Sequence, residues 1–163
     1  MLIALPIHAQ GGDEQISAKL FVQQFYDWYT PIALKNHGDP AFGIALKRKS
    51  QSFSPELALA LREDLEAQAK ANGVSVGLDG DPFLQSAWPE AHYKVGKATS
   101  KGDRYLVNVH RFRAGRMFPD TAAIPEVAKV SGHWVFVNFH SPDGWNILEM
   151  LKSLKEKRQM ESK

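Results

Sequence analysis

From Asp13 onward, Ile16, Leu20, Phe21, Phe25, Trp28, Tyr29 and Ile32 recur at steps of three and four, and Val22 and Tyr26 widen the apolar face they make. A helix apolar over most of its circumference has to be covered on more than one side. The pattern therefore predicts a central helix, capped at Asp13 and stopped at Pro31, with the rest of the chain wrapped around it. There is no cysteine, so the core carries stability without disulfides. A chain of this length supports one well-buried core and no comfortable second one.

Further helix signals follow. Asp39-Pro40 reads as a cap and first-turn proline for a short helix towards Lys47. Ser54-Pro55-Glu56 opens a stronger one, with Leu57, Leu61 and Leu65 on one stripe and Asn72-Gly73 as its left-handed stop. From Tyr93 the pattern becomes strand-like. Tyr93 to Ala98 and Arg104 to Arg113 form one predicted hairpin, and Ile124 to Val130 and His133 to His140 form a second around Ser131-Gly132. Ala114 to Ala123, polar and containing Pro119, reads as a loop between them. In the last strand Val135, Val137 and Phe139 fall on one face and Trp134 and Phe136 on the other. Asp143 is the expected cap of a closing helix carrying Ile147, Leu148, Leu151 and Leu154. Helices first, about four antiparallel strands next and one last helix define an α+β class.

Leu2 to Ile7 is apolar apart from Pro6, and the small Ala9 precedes Gln10, a pattern that reads as a shortened export signal over residues 1–9. The expected organisation is one domain over 13–158 and a basic tail over 159–163, placed in the periplasm or secreted. No stretch approaches the ~18 consecutive apolar residues that span a bilayer. The formal charge is +2, but five basic and two acidic residues sit between Lys152 and Lys163. The excess cations thus fall at the end of a helix, where they complement its dipole. Nucleic acid is excluded as a partner on that ground, since a binder of it carries its basic surface on the fold.

Three sequence words belong together: Phe25-Tyr26-Asp27-Trp28-Tyr29, Leu78-Asp79-Gly80-Asp81-Pro82-Phe83 and Gly132-His133-Trp134-Val135-Phe136-Val137. With them, residues 14 to 155 resemble a bacterial envelope family known as domain of unknown function 3828. The resemblance implies a cystatin-like fold shared with nuclear transport factor 2 relatives, in which a curved sheet wraps a long helix into a cone. It also implies an exported protein, here in free form because the lipid-anchoring cysteine is lacking. It brings no catalytic residue with it.

The chemical candidates are few. Gly73-Val74-Ser75-Val76-Gly77 matches a nucleophile elbow, with Asp79 and His133 as nominal partners, but a helix precedes the serine where a strand is required. Asp79 and Asp81 flank a glycine as in a calcium loop, yet Pro82-Phe83-Leu84 supplies no further oxygen ligands, so they read as turn acceptors. His110 and His140, each two residues after an asparagine (Asn108, Asn138), sit on strands separated by a third, at about 10 Å, too far for one metal. No metal, cofactor or catalytic residue is predicted. Trp28, Tyr29, Asp79, Asp81, Trp88, Tyr105 and Trp134 are the candidates for a pocket mouth at the open end of the cone.

These readings lead to a non-enzymatic binding or interaction domain that uses the cone pocket or the outer sheet face. Its expected partner is a small molecule or an envelope protein, with a homodimer through the sheet face as a further possibility. The alternatives are a small enzyme using Asp79 or Asp81 with a histidine, or an envelope inhibitor or immunity-type protein.

Overall fold

The computed structural model describes residues 8–35, 40–71, 76–86 and 88–161. The leader up to residue 7, Asp39, the Asn72-Gly73 stop and Ser75 of the elbow pattern lie outside the described residues. The described order is helix α1 (His8–Lys35), α2 (Ala41–Arg48), a short 3-10 turn (Ser50–Ser52), α3 (Pro55–Lys70), strands β1 (His92–Lys101), β2 (Arg104–Arg113), β3 (Arg116–Val130) and β4 (His133–His140), and α4 (Ile147–Glu161). The sheet is antiparallel throughout, in the order β1-β2-β3-β4. The fold is α+β, as expected.

Helix α1 packs across β1 and β2. Phe25 is its hub, with its ring centroid 4.7 Å from that of Phe136, 5.5 Å from Phe83 and 5.8 Å from Phe53. Phe139 closes the cluster, 4.8 Å from Phe83. These rings fill the space between α1 and the sheet, so the concavities among the described residues lie at the periphery.

Both sheet edges are met by other parts of the chain. At β4, the Ser54 N–H donates to the Phe136 carbonyl at 2.8 Å. At β1, the Gln23 amide imitates a neighbouring strand: its Nε2 donates to the Tyr93 carbonyl at 3.0 Å and its Oε1 accepts the Val95 N–H at 2.9 Å. Gln15 Nε2 donates to the Ala98 carbonyl at 2.6 Å further along. Polar groups on a free edge template aggregation, and α1 occupies three of those on β1 from its own side chains.

Several local expectations are corrected. Helix α1 begins at His8, ahead of Asp13, and runs through Pro31 to Lys35. Pro31 is exposed, as is Asp27 four residues earlier, so the carbonyl that proline cannot serve is left on the solvent side. Pro40 is itself the residue before α2. The expected loop from Ala114 to Ala123 is mostly strand: Ala114 and Gly115 (φ 51° and 75°) make the turn, and β3 starts at Arg116. Up to Ala123 this part of β3 pairs with β2 alone, and the register slips between His110–Thr121 and Phe112–Met117, around Pro119. An edge and a bulge are where a sheet tolerates proline.

The face alternation in β4 also breaks. Glu126 pairs with Asn138 and Val127 with Phe136, so Val137 is an extra residue and Phe136 and Phe139 both turn inward, stacked 5.0 Å apart. Finally, the cap of α4 is Asn146 in place of Asp143: its Oδ1 accepts the Glu149 N–H at 3.0 Å. Asn138 on β4 helps from below, with Nδ2 donating to Asn146 Oδ1 at 3.0 Å and Oδ1 accepting the Leu148 N–H at 3.2 Å. The Ser54 cap of α3 holds as expected, its hydroxyl accepting the Leu57 N–H at 3.3 Å.

Candidate functional site

The Asp81-Pro82-Phe83-Leu84-Gln85 segment is one helical turn built on a single carboxylate. Asp81 Oδ1 accepts the N–H groups of Phe83 at 2.9 Å and Leu84 at 3.0 Å, while the Asp81 carbonyl accepts the Gln85 N–H at 2.9 Å. Pro82 sits where a first turn prefers it. The other carboxylate oxygen, Oδ2, accepts the hydroxyl of Tyr29 from the core side. Next to it, the Tyr26 hydroxyl donates to the Phe83 carbonyl at 2.6 Å. Helix α1 thus holds this turn in place with two buried phenols.

Burial raises the pKa of the Tyr29 hydroxyl, and the Asp81 charge and hydrogen bond raise it further. Tyr26 is raised well above its ordinary value for the same first reason, with Asp81 and Tyr93 adding to it. Both therefore remain protonated donors at neutral pH. Burial also pushes the Asp81 carboxyl up, against the lowering by its bonds from Tyr29, Leu84 and Phe83.

The outer side of the same turn borders a cleft of about 250 Å³ against the start of α4. Leu78, Pro82, Trp145, Ile147 and Met150 give it apolar walls; Asp79, Asp81, Gln85 and Ser86 are its polar side chains. The lining contains neither a histidine nor a cationic side chain. Leu78 is placed by α3, since buried Asp64 accepts its N–H at 3.0 Å. Before it, a Cβ on Gly77 would come within 2.6 Å of that same carboxylate, so this backbone approach requires glycine.

The predicted site residues do not share one mouth. Tyr29 and Asp81 are bonded to each other, and Asp79 stands exposed on the rim of the cleft. Trp28 is half-buried on α1, with the Lys49 ammonium 5.2 Å from its ring centroid. Trp88 is 86% exposed. Tyr105 and Trp134 form an edge-on pair 5.8 Å apart, and Trp134 Nε1 donates to Ser17 Oγ at 2.8 Å. Ser17 and Tyr29 lie about 18 Å apart along α1 at 1.5 Å per residue. Trp134 belongs there to a separate groove of about 670 Å³ floored by Phe21 and Phe53. Gln85, Trp145 and Met150 complete the cleft without any prior sequence signal.

His110 and His140 are engaged elsewhere. His110 Nδ1 lies 3.1 Å from the Asp120 carbonyl, and its ring packs so closely over Gly96 that a Cβ there would meet Nε2 at 2.6 Å. His140 Nε2 is 2.6 Å from Glu126, which also accepts from Arg104 at 2.9 Å. Among the described residues no group of three or more histidine or acidic side chains is placed to hold a metal ion, and no helix is long and apolar enough to cross a membrane.

Comparison with protein-family models, curated proteins and solved structures finds no match to this chain.

Proposed function

We propose that this chain is an exported, non-enzymatic binding domain whose ligand enters the cleft between the Leu78–Ser86 segment and α4. The carrying observation is the lining itself: apolar walls, two carboxylates and no cationic side chain. Such a site favours a small, largely apolar molecule that is neutral or cationic and rejects an anion. At about 250 Å³ it lies below the 300–1,000 Å³ of drug-sized sites, which keeps the ligand to roughly one ring. Export rests on the apolar leader ending at Ala9, and the resemblance to the envelope family of domain of unknown function 3828 supports the same placement.

NMR titration with toluene, benzylamine and benzoate tests the site. The expected result is shifts at the Trp145 indole and Met150 methyl with the first two and none with benzoate. No shift at these groups with any probe, or a preference for benzoate, refutes it. N-terminal sequencing of protein recovered from its natural host tests export, with a start at Gln10 expected.

A second reading, docking of an envelope protein, is favoured by one observation. Leu20 and Val130, 56% and 51% exposed, flank the Trp134 groove, and Ile16, 66% exposed, precedes Leu20 by one helical turn.

A further inference from the structure

Gln85 is anomalous on two independent counts. Its φ is 49°, in the left-handed region that side chains avoid. Among the described residues the other two non-glycine positions with positive φ, Ala114 and Ser131, sit in two-residue hairpin turns that demand it. Gln85 is in no hairpin. In addition, both polar atoms of its amide, Nε2 and Oε1, are shut off from water and have no hydrogen-bond partner among the described residues. Gln15, Gln23 and Gln68, by contrast, all bond through their amides. An amide sealed without partners is costly, and strained backbone persists where the surroundings enforce it, most often at ligand sites.

The same residue forms part of the cleft wall, beside Asp81, Ser86 and Trp145. Resting on the binding reading above, we propose that Gln85 is the specificity-determining residue of this cleft. Its amide turns into the cleft and pairs with a ligand carrying an adjacent donor and acceptor, as a carboxamide, lactam or ureide does. The amide then gains both partners it lacks, and the apolar walls take the ring to which the group is attached. An anionic carboxylate cannot substitute, because it offers no donor to Oε1 and meets Asp79 and Asp81.

The test compares benzamide, toluene and benzoate by NMR on the full chain and on Gln85→Leu, which keeps the side-chain size and removes the amide. Benzamide is expected to bind at least tenfold more tightly than toluene to the unmodified chain. In Gln85→Leu that preference falls to within twofold, and the thermal midpoint does not fall. A benzamide preference that survives Gln85→Leu, or equal binding of benzamide and toluene to the unmodified chain, overturns the role of Gln85 and leaves the cleft standing. Tightest binding by benzoate, or no shift at Trp145 and Met150 with any of the three, overturns the binding reading as well.

Discussion

Truncating Phe25 and truncating Trp88 should have very different consequences, although both are large aromatic residues. Phe25 is 5% exposed and lies 4.7–6.1 Å, centroid to centroid, from the rings of Tyr26, Trp28, Tyr29, Phe53, Phe83 and Phe136. Phe25→Ala removes the transfer energy of the ring and leaves a cavity whose walls are other rings, themselves held between α1, the sheet and the Asp81 turn. Core Phe→Ala changes cost about 3–5 kcal/mol, and aromatic pairs add about 0.5–1.5 kcal/mol beyond area. The loss belongs near the top of the first range, at about 4–5 kcal/mol. For a chain of 163 residues that is a fall of roughly 8–20 °C in thermal midpoint, at about 2–4 °C per kcal/mol. Trp88, at 86% exposure, falls among surface positions whose replacement stays within about 0.5 kcal/mol. Urea unfolding followed by far-UV circular dichroism, with the slope checked for constancy, measures both. A cost under about 1.5 kcal/mol for Phe25→Ala, or one for Trp88→Ala of similar size to it, refutes the assignment of Phe25 as the hub of the core.

Asp64→Ala should destabilise by about 3–5 kcal/mol, as breaking a buried ion pair does, because this fully buried carboxylate accepts from Arg158 on α4, Leu78 and Gln68; chemical denaturation gives the value. Gln23→Ala should cost about 1–2 kcal/mol from two lost hydrogen bonds and expose the β1 edge, so sedimentation should show concentration-dependent association absent from the parent chain. Glu126 predicts a pH dependence. Burial raises its carboxyl, but the hydrogen bonds from His140 and Arg104 and the charge of Lys101 outweigh that and hold it below its ordinary value of 4.5. A depressed carboxyl stabilises above its unfolded pKa and loses that contribution as pH falls through the folded one. The stability gap between the parent chain and Glu126→Gln should therefore be full at pH 7 and close below about pH 4.5, as measured by urea titrations at stepped pH. A gap that is constant over that interval contradicts the assignment.

What the sequence made legible was chemistry confined to a few adjacent residues. Ser54-Pro55 announces α3 because hydroxyl, proline and first turn are neighbours, and Ser131-Gly132 announces a hairpin because φ must be positive there. The central helix was legible too, since its apolar breadth allows no other placement. Its ends were not: Pro31 continues the helix because its unserved carbonyl faces outward, and only tertiary position decides that. The first half of β3 hid behind Pro119 and polar residues, which an edge beside a bulge accepts. The cap of α4 is shared between Asn146 and Asn138, a partnership formed only once the strand has paired.

The cleft illustrates the limit most sharply. Tyr29 and Asp81 both stand among the mouth candidates of the sequence, yet the bond between them joins segments far apart in the chain. Asp81 then serves two surfaces at once, anchoring its own turn to the core and facing the cleft with its outer side. Trp145 and Met150 carried no signal, being ordinary residues at the start of a helix. Gln85 is concealed for a different reason: its distinguishing property is a left-handed backbone, and sequence rules expect glycine or asparagine there. The neighbouring turn imposes that conformation through Asp81, whose carbonyl holds the Gln85 N–H and whose carboxylate holds the two residues before it. Asp81→Ala should therefore release Gln85 as well as Tyr29, and its effect on benzamide binding should match that of Gln85→Leu. If Asp81→Ala unfolds the turn and the benzamide preference still survives, the orientation of Gln85 does not depend on Asp81.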